Sequence, residues 1–92
     1  MSYDDQKELL RRGGLRCSQL IDILGKLGFQ VRDCSQGGHK VYKHTGIPDF
    51  HGSDFNCGHR STADVKPVYI RKILRIVEQY EDEIRAFLGE KK

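Results

Sequence analysis

Two amphipathic segments, one in each half of the chain, constrain the fold more than any other feature of the sequence. In each, apolar residues recur at the three- and four-residue spacing of a helix that buries a single face. The first stripe consists of Leu20, Ile21, Leu24 and Leu27. The second runs from Ile70 to Leu88, after a proline at position 67 that suits the first turn of a helix. The sequence therefore predicts two helices, ended by Gly28 and Gly89, whose core residues are Leu20, Leu24, Leu27, Ile73 and Val77.

The residues between these helices have the pattern of short strands. Residues 29–32 alternate apolar and polar side chains, as a half-buried strand does, and residues 40–44 have the same pattern. A glycine-bearing turn separates the two, and a loop over 45–53 leads to a weaker third strand at 54–59. The stretch therefore predicts three antiparallel strands.

Ninety-two residues are enough for one domain with a modest core. Residues 1–14 are predicted to form a short, loosely docked helical extension that stops at Gly13-Gly14, and residues 15–92 to form the domain. The order (α)-α-β-β-β-α indicates an α+β fold, a three-stranded antiparallel sheet with helices on one face.

Charge is distributed unevenly along the chain, whose net charge is +3. Residues 26–75 carry nine lysines and arginines against four aspartates, whereas residues 76–92 are net acidic. The central half is the expected surface for a polyanion such as RNA, although a solvated surface with uneven charge gives the same pattern.

No apolar run approaches the ~20 residues of a membrane-spanning helix, and the N-terminus lacks the basic start and apolar centre of a signal peptide. The three cysteines, Cys17, Cys34 and Cys57, are an odd number with no framework spacing. We therefore expect free thiols, a cytoplasmic protein and no membrane partner.

His39 is the candidate catalytic residue. It follows two glycines, which permit a sharp turn, and it precedes a strand that carries Lys40, Tyr42 and Lys43. Histidine exchanges protons near neutrality, with an unperturbed pKa of ~6.5. Lysine and tyrosine are residue types that hold phosphates and stack on bases. The combination suits RNA cleavage, and it also suits a surface that binds RNA without cutting it.

The chain resembles the HicA-type toxins of bacterial HicAB toxin–antitoxin systems over roughly residues 15–76. The resemblance lies in a leucine-striped helix that ends in Leu27-Gly28-Phe29, and in a glycine turn that leads into residues 39–44, His-Lys-Val-Tyr-Lys-His. It continues in Val65-Lys66-Pro67 and the apolar helix that follows. Gly38 stands where the family has serine, the loop over 45–53 is longer, and Pro67-Val68-Tyr69 replaces the family's helix entry.

The resemblance implies a fold like the double-stranded-RNA-binding domain and a metal-independent endoribonuclease that cleaves mRNA with one histidine and no cofactor. It also implies a cognate antitoxin that covers the site. His39 would act as general base on a ribose 2′-OH, and general acid–base catalysis of this kind is worth about 10²–10⁴-fold. The expected RNA-binding residues are Lys40, Tyr42, Lys43, His44, Lys66, Arg71 and Lys72.

Strand alternation predicts that Lys40, Tyr42 and His44 face RNA and that Val41 packs inward. The alternatives to a toxin are a small RNA-binding domain without catalysis and an inactive interaction protein. His44, His51, Cys57 and His59 are residue types that suit zinc, but their spacing is not that of a known site, so we expect no metal. His59 is also placed to assist His39.

Overall fold

The computed structural model describes residues 2–34, 37–58, 60 and 62–90. Within them, two helices precede a three-stranded antiparallel sheet and two helices follow it. The elements are α1 (Ser2–Arg12), α2 (Cys17–Lys26), β1 (Gln30–Asp33), β2 (His39–Lys43), β3 (Ser53–Asn56), α3 (Pro67–Gln79) and α4 (Glu81–Phe87). The predicted α+β class is confirmed, with one additional helix at the C-terminal end of the described chain.

The two faces of the sheet differ in burial. The strand order is β1-β2-β3, so β2 is the central strand. On the inner face of the sheet, Tyr42 of β2 and Phe55 of β3 are fully buried beneath the helices. The side chains on the opposite surface are half-buried or exposed. We call this surface the open face, and alternation from Tyr42 and Phe55 assigns to it Gln30, Arg32, His39, Val41, Lys43, Asp54 and Asn56.

One apolar cluster between the inner face and the helices forms the core. It contains all five residues predicted to be there, each at most 1% exposed: Leu20, Leu24, Leu27, Ile73 and Val77. It also contains Tyr3 and Leu10 of α1, which are 0% and 2% exposed, so the prediction of a loosely docked first helix is wrong. Tyr3, Gln6 and Leu10 share one helical face, and this stripe is hard to recognise because a glutamine interrupts it.

The last predicted helix is two helices, which meet at Tyr80. The backbone of Tyr80 leaves the helical region (φ −108°, ψ 30°), and α4 restarts with three acidic residues in its first turn. The Tyr3 hydroxyl donates to the Val77 carbonyl at 2.9 Å, the acceptor that the Glu81 N–H would use in an unbroken helix. Docking of α1 therefore provides a hydrogen-bond donor for this carbonyl where the helix breaks. Among the described residues, no helix is both long and apolar enough to cross a membrane.

Arg85 ties α4 to α1. Its guanidinium contacts Asp4 at 2.6 Å and Glu81 at 2.8 Å, and it lies over the ring of Tyr3 at 4.4 Å from the centroid. Its side chain is only 12% exposed. The two ends of the described chain are thus held together by a charge network with a cation–π contact.

A disulfide joins Cys17 at the start of α2 to Cys57, the residue after β3. The prediction of three free thiols is therefore wrong for these two, and Cys34 is the free cysteine. The two partners are 40 residues apart in sequence, with Cα atoms 5.4 Å apart. Sequence spacing cannot reveal such a pair, because the fold alone brings the end of β3 to the start of α2.

Reduction of this disulfide is expected to lower the free energy of unfolding by about 2–4 kcal/mol, because a cross-link over 40 residues restricts the unfolded chain. Urea denaturation with and without reductant measures the effect. The variant Cys17→Ser should be insensitive to reductant. Thiol titration of the unfolded, unreduced protein should find one free thiol, Cys34, and a titre of three would contradict the bond.

Stability is expected to fall as the pH rises above about 10. Burial raises the pKa of Tyr3 to about 12, and it also raises the pKa of Tyr42. Unfolded tyrosine ionises near pH ~10, so the unfolded chain releases these protons first. The contribution of the raised Tyr3 pKa to the free energy of unfolding is complete below pH ~10 and is lost between about pH 10 and 12. Urea denaturation from pH 8 to 11.5 should show this decline, and Tyr3→Phe should flatten it while costing about 1 kcal/mol at pH 8 for the lost hydrogen bond. If the free energy of unfolding falls equally steeply with pH in both proteins, Tyr3 is not the cause of the decline.

Candidate functional site

His39 is the first residue of β2, where the glycine turn enters the sheet. Gly37 has a φ of 43°, in the region that favours glycine. Gly38 packs so closely on Gly58 that a Cβ would lie 1.5 Å from the Gly58 carbonyl oxygen. The Cys57 N–H donates to the Gly38 carbonyl at 2.9 Å. The end of β3 therefore fixes the turn that carries His39.

The His39 side chain is hydrogen-bonded to Asp54 on the neighbouring strand. Nε2 lies 2.7 Å from Asp54 Oδ2, and both side chains are more than a third exposed. An ionised carboxylate only accepts hydrogen bonds, so Nε2 carries a proton and the neutral ring has its lone pair on Nδ1. A ring held in this way can accept a proton at Nδ1, while the carboxylate stabilises the imidazolium that forms.

Asp54 is bonded on both of its oxygens. The hydrogen bond with His39 lowers the pKa of Asp54, and Lys72 adds to this effect, whereas partial desolvation opposes it. Lys72 Nζ lies 3.6 Å from Oδ1, opposite the oxygen that His39 uses. The carboxylate is therefore ionised at neutral pH, and it holds a cation from α3 close to the imidazole.

The predicted assignment of the sheet faces is wrong. Tyr42 is fully buried and His44 is 4% exposed, so neither can contact RNA in this fold. Lys40 lies on the same inner side and forms an ion pair with its cross-strand neighbour Asp33. Val41, predicted to be in the core, lies half-buried on the open face. The helices cover the Tyr42 side because an aromatic ring buries more apolar area than a valine does.

His44 has a structural role. Its Nε2 donates to the Leu27 carbonyl at 2.9 Å, and its Nδ1 accepts from the Gly46 N–H at 3.0 Å. The ring packs edge-on against Phe29 and Phe87, with centroids 4.7 Å away in both cases. Both nitrogens are thus satisfied in the neutral form, and the residue links the end of α2 to the loop after β2.

The other predicted RNA-binding residues are exposed. Lys43 lies on the open face, Lys66 precedes α3, and Arg71 and Lys72 lie on the outer side of α3. Seven lysines and arginines of the described chain form no ion pair with an acidic side chain. They are Arg16, Arg32, Lys43, Arg60, Lys66, Arg71 and Arg75. All lie between residues 16 and 75, so the unpaired positive charge lies in the part of the chain that carries the site, outside the first and last helices.

Two grooves in the described surface are lined by residues of the open face close to the His39–Asp54 pair in the strand register. One, of about 430 Å³, lies over Val41 and is also lined by Lys43, His51 and Asp54. The other, of about 450 Å³, opens between the end of β3 and the start of α3. Asn56, which is the cross-strand neighbour of His39, lines the second groove. Each groove is large enough for a nucleotide-sized group.

Among the described residues, no three histidine, cysteine, aspartate or glutamate side chains are placed to hold a metal ion. The zinc alternative also conflicts with the bonding of two of its members. Both ring nitrogens of His44 are hydrogen-bonded, and Cys57 is in the disulfide. His59 lies outside the described residues, so its assistance to His39 stays a prediction.

Comparisons with known proteins do not assign the site: no protein-family model, no curated protein and no solved structure matches this chain. The resemblance to HicA-type toxins therefore rests on the sequence motifs alone.

Proposed function

We propose that this chain is an RNA endonuclease that uses His39 as its general base and needs no metal ion. The observation that carries the proposal is the 2.7 Å contact between His39 Nε2 and Asp54 Oδ2 at the solvent-exposed side of the sheet. A histidine oriented by a carboxylate and accessible from solvent is an arrangement that can perform general acid–base catalysis.

In the proposed reaction, His39 Nδ1 takes the proton from a ribose 2′-OH. The 2′-oxygen forms a bond to the adjacent phosphorus, and the bond from phosphorus to the 5′-oxygen breaks. The leaving oxygen takes a proton from the imidazolium or from water, so the products are a 2′,3′-cyclic phosphate and a 5′-OH. Asp54 stabilises the imidazolium, and Lys72, whose Nζ lies 3.6 Å from Asp54 Oδ1, is the cation proposed to stabilise the charge that develops on the non-bridging phosphoryl oxygens.

Exposed cations support RNA as the substrate. Lys43, Lys66, Arg71 and Lys72 are proposed to contact phosphates, and the unpaired Arg32, which lies on the open face opposite Val41, adds to this positive charge. Lys40 is excluded from this set because it faces the helices and pairs with Asp33. Binding through phosphates should weaken strongly as the salt concentration rises.

The HicA resemblance adds the biological role to the proposal: a toxin that cleaves mRNA and is held inactive by an antitoxin. The turn before His39 accounts for one departure from the family motif, because the backbone of Gly58 leaves no room for a serine side chain at Gly38. An antitoxin with an acidic surface would suit the cations around His39 and would inhibit by covering the open face.

Cleavage of mRNA would place the protein in the cytoplasm, and this compartment is part of the proposal. The Cys17–Cys57 bond is the feature that argues against it, because disulfides are uncommon in reducing compartments. Thiol titration of the protein after expression in a reducing and in an oxidising host measures whether the Cys17–Cys57 bond forms in each.

The proposal is tested by incubating the purified chain with single-stranded RNA, and with DNA of the same sequence, in EDTA. We expect cleavage of the RNA alone, with 2′,3′-cyclic phosphate ends. Salt-sensitive RNA binding without any cleavage would favour a non-catalytic RNA-binding domain, and neither binding nor cleavage would favour an interaction protein. Activity that appears only with added divalent metal would also contradict the proposal.

A further inference from the structure

We propose that the groove between the end of β3 and the start of α3 binds an unstacked nucleobase and prefers guanine. The inference rests on the proposed function, since it assigns a substrate subsite next to His39. The groove has a volume of about 450 Å³. Its lining consists of Asn56, Cys57, Gly58, Ala63, Asp64, Lys66 and Tyr69.

Tyr69 provides an aromatic surface in this groove. One part of its side chain packs against the core, and the rest remains accessible, so the ring is held in place. Bases stack on such rings in single-stranded nucleic-acid complexes, whatever their identity. Lys66, the residue before α3, lies at the same groove with an unpaired ammonium group that suits the phosphate of the bound nucleotide.

Two polar side chains give the groove a hydrogen-bonding pattern. Asn56 Oδ1 accepts from the Gly58 N–H at 2.7 Å, which leaves the Nδ2 donors for a ligand. The Asp64 carboxylate is exposed and forms no ion pair among the described residues. A carboxylate only accepts, and guanine presents two neighbouring donors, N1–H and N2–H, to such a group. Adenine, cytosine and uracil each present donors from a single nitrogen, so guanine is the best match.

The position of the groove relates it to the reaction. Asn56 is the cross-strand neighbour of His39, so the groove begins at the strand position next to the imidazole. A base held there would place its own ribose or the adjoining phosphate near His39. The subsite would therefore determine which phosphodiester bond is cut.

The test uses 2′-O-methyl pentanucleotides, which lack the attacking hydroxyl and cannot be cut by the proposed reaction. Four such probes have one central G, A, C or U between uridines, and fluorescence anisotropy at fixed salt gives their affinities. We expect the G probe to bind about tenfold or more tightly than the others. Asp64→Asn should abolish this preference, and Tyr69→Leu should weaken all four by about tenfold.

Tyr69→Phe should bind the probes with the affinity of the wild type, unlike Tyr69→Leu, because phenylalanine keeps the aromatic ring on which the base stacks. Lys26→Gln, which removes a cation paired with Asp22 on α2, should change nothing. Thermal melting checks that each variant is folded. If no probe binds, if another base is preferred, or if Asp64→Asn and Tyr69→Leu bind like the wild type, the inference is overturned. Guanine preference in a chain that cuts no RNA would reject the catalytic proposal and support the subsite.

Discussion

Replacement of His39 by alanine is expected to slow RNA cleavage by about 10²–10⁴-fold, the range for loss of a positioned general base. The fold should survive, because the side chain is more than a third exposed and its pair with Asp54 is a surface interaction worth about 0–1 kcal/mol. Single-turnover cleavage rates and thermal melting of both proteins measure the two effects.

Asp54→Asn should reduce the rate less and should also alter its pH dependence, because Asp54 acts by positioning His39.

Lys26→Gln is the matched control for this series, since it changes a surface side chain on α2 that is bonded to Asp22. Its cleavage rate should equal that of the wild type. A folded His39→Ala protein that cuts RNA at the wild-type rate would remove His39 from the mechanism.

Replacement of Gly38 by alanine is expected to destabilise the fold by about 3 kcal/mol or more. The added Cβ would lie 1.5 Å from the Gly58 carbonyl oxygen and 2.5 Å from the Gly58 nitrogen, and these are backbone atoms with little freedom to move. Separating the two segments would break the hydrogen bond from the Cys57 N–H to Gly38, and the disulfide at Cys57 resists that movement. Overpacking of this kind costs about 1–3 kcal/mol, occasionally more.

Gly25→Ala is the control for this prediction. Gly25 lies in α2 without a positive φ, and a Cβ added there would meet no heavy atom within 4 Å. Alanine at this position should stabilise the protein by about 0.5–1 kcal/mol, through helix propensity. Urea denaturation of both variants gives the difference. Equal stability of Gly38→Ala and the wild type would show that the turn is not packed against Gly58.

The regular part of the fold could be predicted from the sequence. Leucines at helical spacing predict α2, and Pro67 predicts the start of α3, because these signals depend only on residues that are close together in the sequence. The break at Tyr80 and the Cys17–Cys57 bond depend on contacts between distant segments. No local pattern encodes such contacts.

The candidate site was only partly predictable. The glycine turn points to His39, but its partner Asp54 is 15 residues away and becomes its neighbour only through the pairing of β2 with β3. The available signal is the alternation of Asp54 with the apolar Phe55 in the third strand. The faces of β2 were assigned incorrectly because Val41 and Tyr42 are both apolar, and only packing decides which of them is buried.

The most direct test of the proposed chemistry compares one RNA oligonucleotide with the same oligonucleotide carrying a single 2′-O-methyl group at the cleaved position, both in EDTA. We expect the unmodified RNA to be cut there to a 2′,3′-cyclic phosphate and a 5′-OH, and the modified bond to remain intact. Cleavage of the methylated bond at an equal rate, or products with 3′-OH ends, would contradict the role of His39 as the base that activates the 2′-OH.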